Sequence, residues 1–145
     1  AALRPVTGAR RPARFTREFP VAPADIDELG HVNNVVYLRW VQEIAVAHWH
    51  AAAPADLQAE VVWVVLRHEL DYKRPARAGE TVVGRTWVGE ATGSRFERFT
   101  EFARAANGEV LAQARSVWCP LNAHTGRPRR IDPSLHDYFS EPASP

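Results

Sequence analysis

The chain has 145 residues, the size of one domain, and its 46% hydrophobic and 24% charged residues are an ordinary globular composition. Eighteen Lys and Arg against seventeen Asp and Glu leave a formal net charge of +1, which excludes a strongly basic nucleic-acid binder and a polyacidic tail protein. A single cysteine, Cys119, excludes an internal disulfide framework and a cysteine-based zinc site.

Residues 1–14 carry Arg4, Arg10, Arg11 and Arg14 before the first acid, Glu18, and Pro5, Gly8 and Pro12 break any helical face. They read as a disordered basic N-terminal tail. Residues 14–21 set Phe15, Phe19 and Val21 on one side of a first strand, which Pro23 ends. A turn-rich stretch, 24–33, leads into an almost continuously apolar run, 35–53. Its polar members Arg39, Gln42, Glu43 and His50 fall on one narrow stripe opposite Val36, Trp40, Ile44 and Ala47. That is a helix surrounded by protein, capped by Asn33 or Asn34 and stopped by Pro54. It contains His48, Trp49 and His50 and is too short and polar to span a bilayer. No secretory apolar segment precedes it, so a cytoplasmic protein is expected.

Strand chemistry follows. Residues 61–72 are β-branched and then alternating, and Pro75 ends them. Ala78-Gly79-Glu80 is a turn, 81–88 a strand and Thr92-Gly93 another turn. In 95–104 the recurrence of Phe96, Phe99 and Phe102 every third residue hints at a helix, but Asn107-Gly108 is a strong hairpin signal and requires strands on both sides, 95–104 and 110–118. The expected fold class is α+β: one long helix wrapped by a five-stranded antiparallel sheet, with four strands in hairpin succession and the first added as a fifth. The folded domain is expected over 15–139, with a loose C-terminal tail at 140–145. One sheet leaves edges and an outer face to cover, so a homodimer or homotetramer is expected.

The chemically informative stretch is 25–34, Asp-Ile-Asp-Glu-Leu-Gly-His-Val-Asn-Asn, followed by Tyr37. An EF-hand loop would need an oxygen ligand at its fifth position and Glu at its twelfth, where Leu29 and Val36 stand. Helix capping accounts for Asp25 and Glu28 but needs only one residue, leaving Asp27, His31 and Asn34 unexplained. A helix start offers free N–H groups to a developing oxyanion, and a nearby carboxylate can attack a carbonyl carbon or activate water. Gly30 permits a tight turn that brings Asp27 back over the helix start.

The pattern D-x-D-x-x-G-H-V-N-N-x-x-Y, with a buried helix and four strands behind it, resembles the hotdog-fold thioesterases, and among them the 4-hydroxybenzoyl-CoA thioesterase-like acyl-CoA thioesterases. The resemblance covers roughly 15–131. It is supported by Asp71-Tyr72-Lys73-Arg74-Pro75-Ala76 with Gly79-Glu80, by Asn107-Gly108-Glu109 and by Thr125-Gly126-Arg127-Pro128. It implies a hotdog fold and a hydrolase of acyl-CoA or acyl carrier protein thioesters working without a cofactor, a metal, nucleic acid or a membrane. It also implies that Asp27 is the catalytic carboxylate and that Asn34 lends its backbone N–H, at a position where relatives carry Tyr or His. The plant acyl carrier protein thioesterases are similar in the same stretch, with an Asp matching Asp27, a His matching His31, and an intervening Asn replaced here by Leu29.

Two other functions are weighed. A non-catalytic acyl-thioester-binding module would be marked by loss of the acid, and Asp27 is present. A hotdog dehydratase would carry Asp-x-Asn-Pro-x-His, and no Asn-Pro occurs. Glu43 reads as a polar edge or interface residue, His68 as a packed or interface histidine, and Cys119 as a small buried hydrophobe. His48 and His50 point to different helix faces. Arg67, Arg74, Arg77, Arg127, Arg129 and Arg130 are candidates for carrier phosphates. An apolar acyl pocket framed by Trp40 and strand aromatics is expected to favour neutral acyl groups.

Overall fold

The computed structural model describes residues 10–142. In chain order it contains β1 (Arg10–Pro12), β2 (Phe15–Pro20), a 3-10 turn (Pro23–Asp25), α1 (Asn34–Ala52), α2 (Ala55–Glu60), β3 (Val61–Tyr72), β4 (Thr81–Thr92), β5 (Arg95–Arg104), β6 (Val110–Asn122), α3 (Pro133–Asp137) and β7 (Ser140–Pro142). Five strands form one antiparallel sheet in the order β2-β4-β5-β6-β3, and α1 packs across it.

The hairpins β4–β5 and β5–β6 follow the Thr92-Gly93 and Asn107-Gly108 signals. The expected hairpin between β3 and β4 does not form. β3 pairs with β6 at one edge and β2 pairs with β4 at the other, so residues 73–80 cross the sheet. The crossing segment is tied down on the way: Lys73 N and Arg74 N donate to Leu111 O at 2.8 and 3.1 Å, and Val32 N donates to Ala76 O at 2.8 Å. That segment therefore passes beside the start of α1.

Nineteen residues of α1 bury Val36, Tyr37, Trp40, Val41, Ile44, Ala45, His48 and Trp49 against the sheet. The core packs tightly over Gly84, where an added Cβ would lie 2.9 Å from the Phe19 ring, 3.1 Å from Ile44 Cδ1 and 3.2 Å from Phe102. Glycine is therefore needed there for close approach rather than for a turn. Phe19, Tyr37, Trp40, Phe102 and Leu111 fill the core under the first half of α1, and Trp49, Val61, Phe96, Leu135 and Phe139 fill it under the second.

Segments 10–12 and 140–142, expected within loose tails, instead pair with each other as β1 and β7. Phe139 is 2% exposed, and its carbonyl accepts from Ala13 N at 2.8 Å, so its burial brings the two segments side by side. The remaining tail expectations, at 1–9 and 143–145, lie outside the described residues. Among the described residues no helix is long and apolar enough to cross a membrane.

Candidate active site

The two aspartates of the D-x-D segment do different work. Asp25 is 5% exposed and accepts from Ala22 N at 2.9 Å and from Arg39 Nη2 at 3.0 Å, while its carbonyl accepts from Asn33 N at 2.8 Å. It is a structural carboxylate that fixes the approach to α1. Asp27 opens a tight loop. Its N–H donates to His31 O at 2.8 Å, and its carbonyl accepts from Gly30 N at 3.0 Å. The loop closes through Gly30 at φ +80°, a conformation few side chains tolerate. Asp27 Oδ1 accepts from Leu29 N at 2.9 Å and His31 N at 3.2 Å. Asp27 Oδ2 has no hydrogen bond among the described residues, and the side chain is half-buried. The carboxylate is thus held by one oxygen with the other left open.

The helix start lies on the same groove. Asn33 is the N-cap: its Oδ1 accepts from Val35 N at 3.0 Å and its carbonyl from Val36 N at 2.9 Å. Asn34 is the first helical residue, and its N–H has no acceptor among the described residues. A groove of ≈ 380 Å³ is lined by Asp27, His31 and Asn34 together with Tyr37, Tyr72 and Lys73. The structure therefore brings the three expected site residues together. Free helix N–H groups beside a carboxylate can polarise a carbonyl oxygen while the acid acts on its carbon.

Tyr72 enters the sequence analysis as the end of a strand and as part of a supporting motif, with no role at the site. Its hydroxyl donates to Asn34 O at 3.2 Å and ties β3 to the helix start. Tyr37 OH is buried without a partner among the described residues, and burial pushes its phenol up to about 12 against the opposing charge of Arg104. The far wall of the groove is braced from behind. Arg104 pairs with Glu80, with Glu109 at 3.0 Å and with Pro75 O at 3.1 Å, and Arg74 pairs with Glu109 at 3.1 Å.

Other sequence candidates lie elsewhere. Glu43 pairs with Arg39 at 3.2 Å. His68 Nδ1 bonds Ser116 Oγ at 2.7 Å, and burial lowers its pKa. Cys119 is buried, with its thiol donating to Pro120 O at 3.6 Å. His48 is buried and His50 exposed. Among the described residues no three His, Cys, Asp or Glu side chains converge as a metal-ligand set.

Comparison with known proteins places the chain in a family. The family model described as the thioesterase-like superfamily matches residues 21–139, and the chain belongs to that superfamily. The palmitoyl-acyl carrier protein thioesterase of Gossypium hirsutum is 25% identical over 126 residues, 81% of this chain and 30% of that protein. Its counterpart from Cuphea hookeriana is 26% identical over 128 residues, with the same coverage. The chain spans less than a third of the length of these curated relatives. Among solved structures, a thioesterase from Thermus thermophilus complexed with coenzyme A and Zn is 26% identical, with a TM-score of 0.74 covering 86% of this chain and 90% of that one. A 1,4-dihydroxy-2-naphthoyl-CoA thioesterase from Synechocystis is 18% identical, with a TM-score of 0.75 covering 88% and 96%. The fold is the hotdog fold of these thioesterases.

Proposed function

We propose that this chain is a thioester hydrolase cleaving acyl-CoA or acyl carrier protein thioesters to a free acid and a thiol. The observation that carries this reading is Asp27: Oδ1 is pinned by two amides, Oδ2 is open, and the side chain lines the groove that also holds the unbonded N–H of Asn34. In this reading the thioester oxygen sits at the start of α1, where the Asn34 N–H and the helix dipole stabilise the tetrahedral oxyanion. Asp27 either attacks the carbonyl carbon or takes a proton from the attacking water. The carbon–sulfur bond then breaks; on the attack route water next hydrolyses the acyl–Asp27 anhydride, releasing the acid and restoring the carboxylate. A thiolate of ordinary thiol acidity leaves readily, and His31, on the same wall, is the group assigned to protonate it. Lys73 and Arg74, which also line the groove, are the assigned partners of the carrier's phosphates.

The protein is further proposed to work as a homodimer or dimer of dimers. β3 is a twelve-residue edge strand carrying the exposed side chains of Val62, Val64 and Leu66, and α1 exposes Val35 and Val46. A long apolar edge of this kind needs a cover. Light scattering at micromolar concentration should give a dimer or tetramer mass, and a monomer would refute this part.

The experiment on function is thiol release from a panel of acyl-CoA and acyl carrier protein thioesters. Hydrolysis of at least one, abolished by Asp27→Asn, is the expected result. Absence of hydrolysis across the panel would overturn the reading in favour of a binding module.

A further inference from the structure

The strand alternation of β5 turns Phe96, Arg98, Thr100 and Phe102 towards α1. Arg98 is thereby placed inside the protein, 5% exposed. One of its terminal nitrogens is fully used: Nη1 donates to His48 Nδ1 at 2.9 Å and to Thr86 Oγ1 at 3.0 Å. Both acceptors are neutral. Thr86 donates its own proton to Phe99 O at 2.8 Å, and His48 is held uncharged, its pKa driven down to about 3 by burial and then by the Arg98 charge. Nη2 and Nε of Arg98 have no acceptor, and no carboxylate pairs with the guanidinium, among the described residues. Burial pushes Arg98 down to about 9, so it still carries its charge at neutral pH. Its remaining compensation is the Phe139 ring, 5.2 Å away.

Arg98 lines a cavity of ≈ 50 Å³ under the second half of α1, among Trp49, Trp63, Phe96, Trp118 and Phe139. Behind two of these walls the indole N–H groups of Trp63 and Trp118 are buried without an acceptor among the described residues. The one acid on the lining, Glu97, is already engaged by Arg115 Nε at 2.7 Å and Glu90 N at 3.2 Å. The polar group this cavity leaves unmatched is therefore a cationic donor, Arg98, in aromatic surroundings.

We propose that this cavity is a binding site for an alkyl carboxylate, with the open edge of the Arg98 guanidinium as its counter-ion and the aromatic rings as its walls. A planar carboxylate matches the guanidinium fork, and its alkyl body matches the aromatic walls. The free volume suits a carboxylate with a short piece of chain. Two sources share this chemistry. One is the far-end carboxylate of an acyl group whose thioester lies at the helix start, eleven residues or roughly 16 Å along α1 from Ala45; this source rests on the thioesterase reading. The other is a free carboxylic acid, such as a hydrolysis product. The first source would reverse the sequence-based expectation of a preference for neutral acyl groups.

The test is titration of the full chain with octanoate and with octanamide, followed by intrinsic tryptophan fluorescence and calorimetry. Octanoate should bind saturably and at least about tenfold more tightly than the neutral amide, the discrimination of one charge-assisted contact. Arg98→Met should bring that ratio close to one, and Arg98→Lys should retain part of it. A second arm compares a terminal-carboxylate acyl-CoA with a neutral acyl-CoA of equal length. Preferential hydrolysis of the former, lost in Arg98→Met, assigns the site to the acyl tail; octanoate discrimination without that preference assigns it to free acids. If no thioester is hydrolysed but octanoate discrimination depends on Arg98, the catalytic reading fails and this one stands. Equal binding of octanoate and octanamide, binding of neither, or discrimination unchanged in a folded Arg98→Met protein would overturn it. The wild-type comparison and Arg98→Lys decide the matter should Arg98→Met fail to fold.

Discussion

Replacing Asn34 with proline removes one N–H and almost nothing else that the helix needs. Asn34 is the first residue of α1, the position where proline is favoured because its missing N–H is an orphan and its fixed φ suits the helix. The residue before it, Asn33, sits at φ −62° and ψ 139°, the extended conformation that a following proline requires. Asn34 N donates to nothing among the described residues, so no native hydrogen bond is lost, and the carbonyl that accepts from Tyr72 OH remains. The folded state should therefore lose little stability. If that N–H is an oxyanion donor, its removal should lower kcat by about 10²–10³, or roughly 3–4 kcal/mol of transition-state stabilisation. Asn34→Ala keeps the amide and should stay within a few-fold of wild type. The assay is steady-state thiol release from a good acyl thioester for wild type and both variants, with thermal melts alongside. The effect should fall mainly on kcat, because the contact strengthens as charge develops; a rise in KM alone would mean that the ring merely obstructs the groove. Asn34→Pro with the kcat of Asn34→Ala would refute the role given to the helix start.

Asp27→Asn and Asp27→Ala should both lose about 10²–10⁴ in rate, as expected for a removed acid–base group. They should differ in stability, because Asn keeps an oxygen for the amides of Leu29 and His31 whereas Ala leaves both without their acceptor, at about 1–2 kcal/mol; equal melts for the two would refute the loop-closing role of Oδ1. His48 titrates near 6.5 when unfolded but only at about 3 when folded, packed between Phe15, Phe139 and Arg98. Between those pH values the unfolded chain binds more protons, so this group's contribution is complete above pH 6.5 and is lost as pH falls, by up to ~1.4 kcal/mol per pH unit. Urea unfolding from about pH 7 to about pH 4 should show a shallower loss in His48→Gln than in wild type, and identical slopes would contradict the buried neutral assignment.

Local chemistry made the site legible. Its three candidate residues lie within 25–34, so a reading of the helix start, the turn at Gly30 and the excess of acids reaches Asp27, His31 and Asn34 as candidates without any knowledge of topology, whereas the opposite wall at 72–75 lies beyond such a reading. Topology itself was less legible. Hairpin signals specify neighbours joined by short turns, and they correctly join β4, β5 and β6. Nothing in residues 73–80 announces that they cross the sheet, because the bonds that hold them, to Leu111 O and to Val32 N, come from distant parts of the chain. The same non-local pairing made Tyr72 a wall of the groove. The pairing of β1 with β7 was hidden for a related reason: short, proline-containing segments have no periodicity of their own and are ordered by the burial of Phe139 next to them.

Arg98 was within reach of the sequence and was lost to a competing period. Phe96, Phe99 and Phe102 recur every third residue and draw attention to themselves. Strand alternation divides them differently: Phe96 and Phe102 face α1, and Phe99 stacks on Trp87, 6.0 Å away. Once β5 is a strand, Arg98 must share the inner face with Phe96. Stability gives no reason for a cation there. A methionine of similar length would suit the same aromatic surroundings without the several kcal/mol of desolvation that an unpaired buried charge costs. The bonds to His48 and Thr86 orient the guanidinium but bring no negative charge to it. Burial, and then the Arg98 charge, also keep His48 neutral, which costs acid stability in turn. Two buried residues are thus held at unfavourable electrostatics to keep one positive group fixed at the wall of a cavity. That cost is physically intelligible if something anionic occupies the cavity, and a carboxylate is the anion that its size and its donors fit.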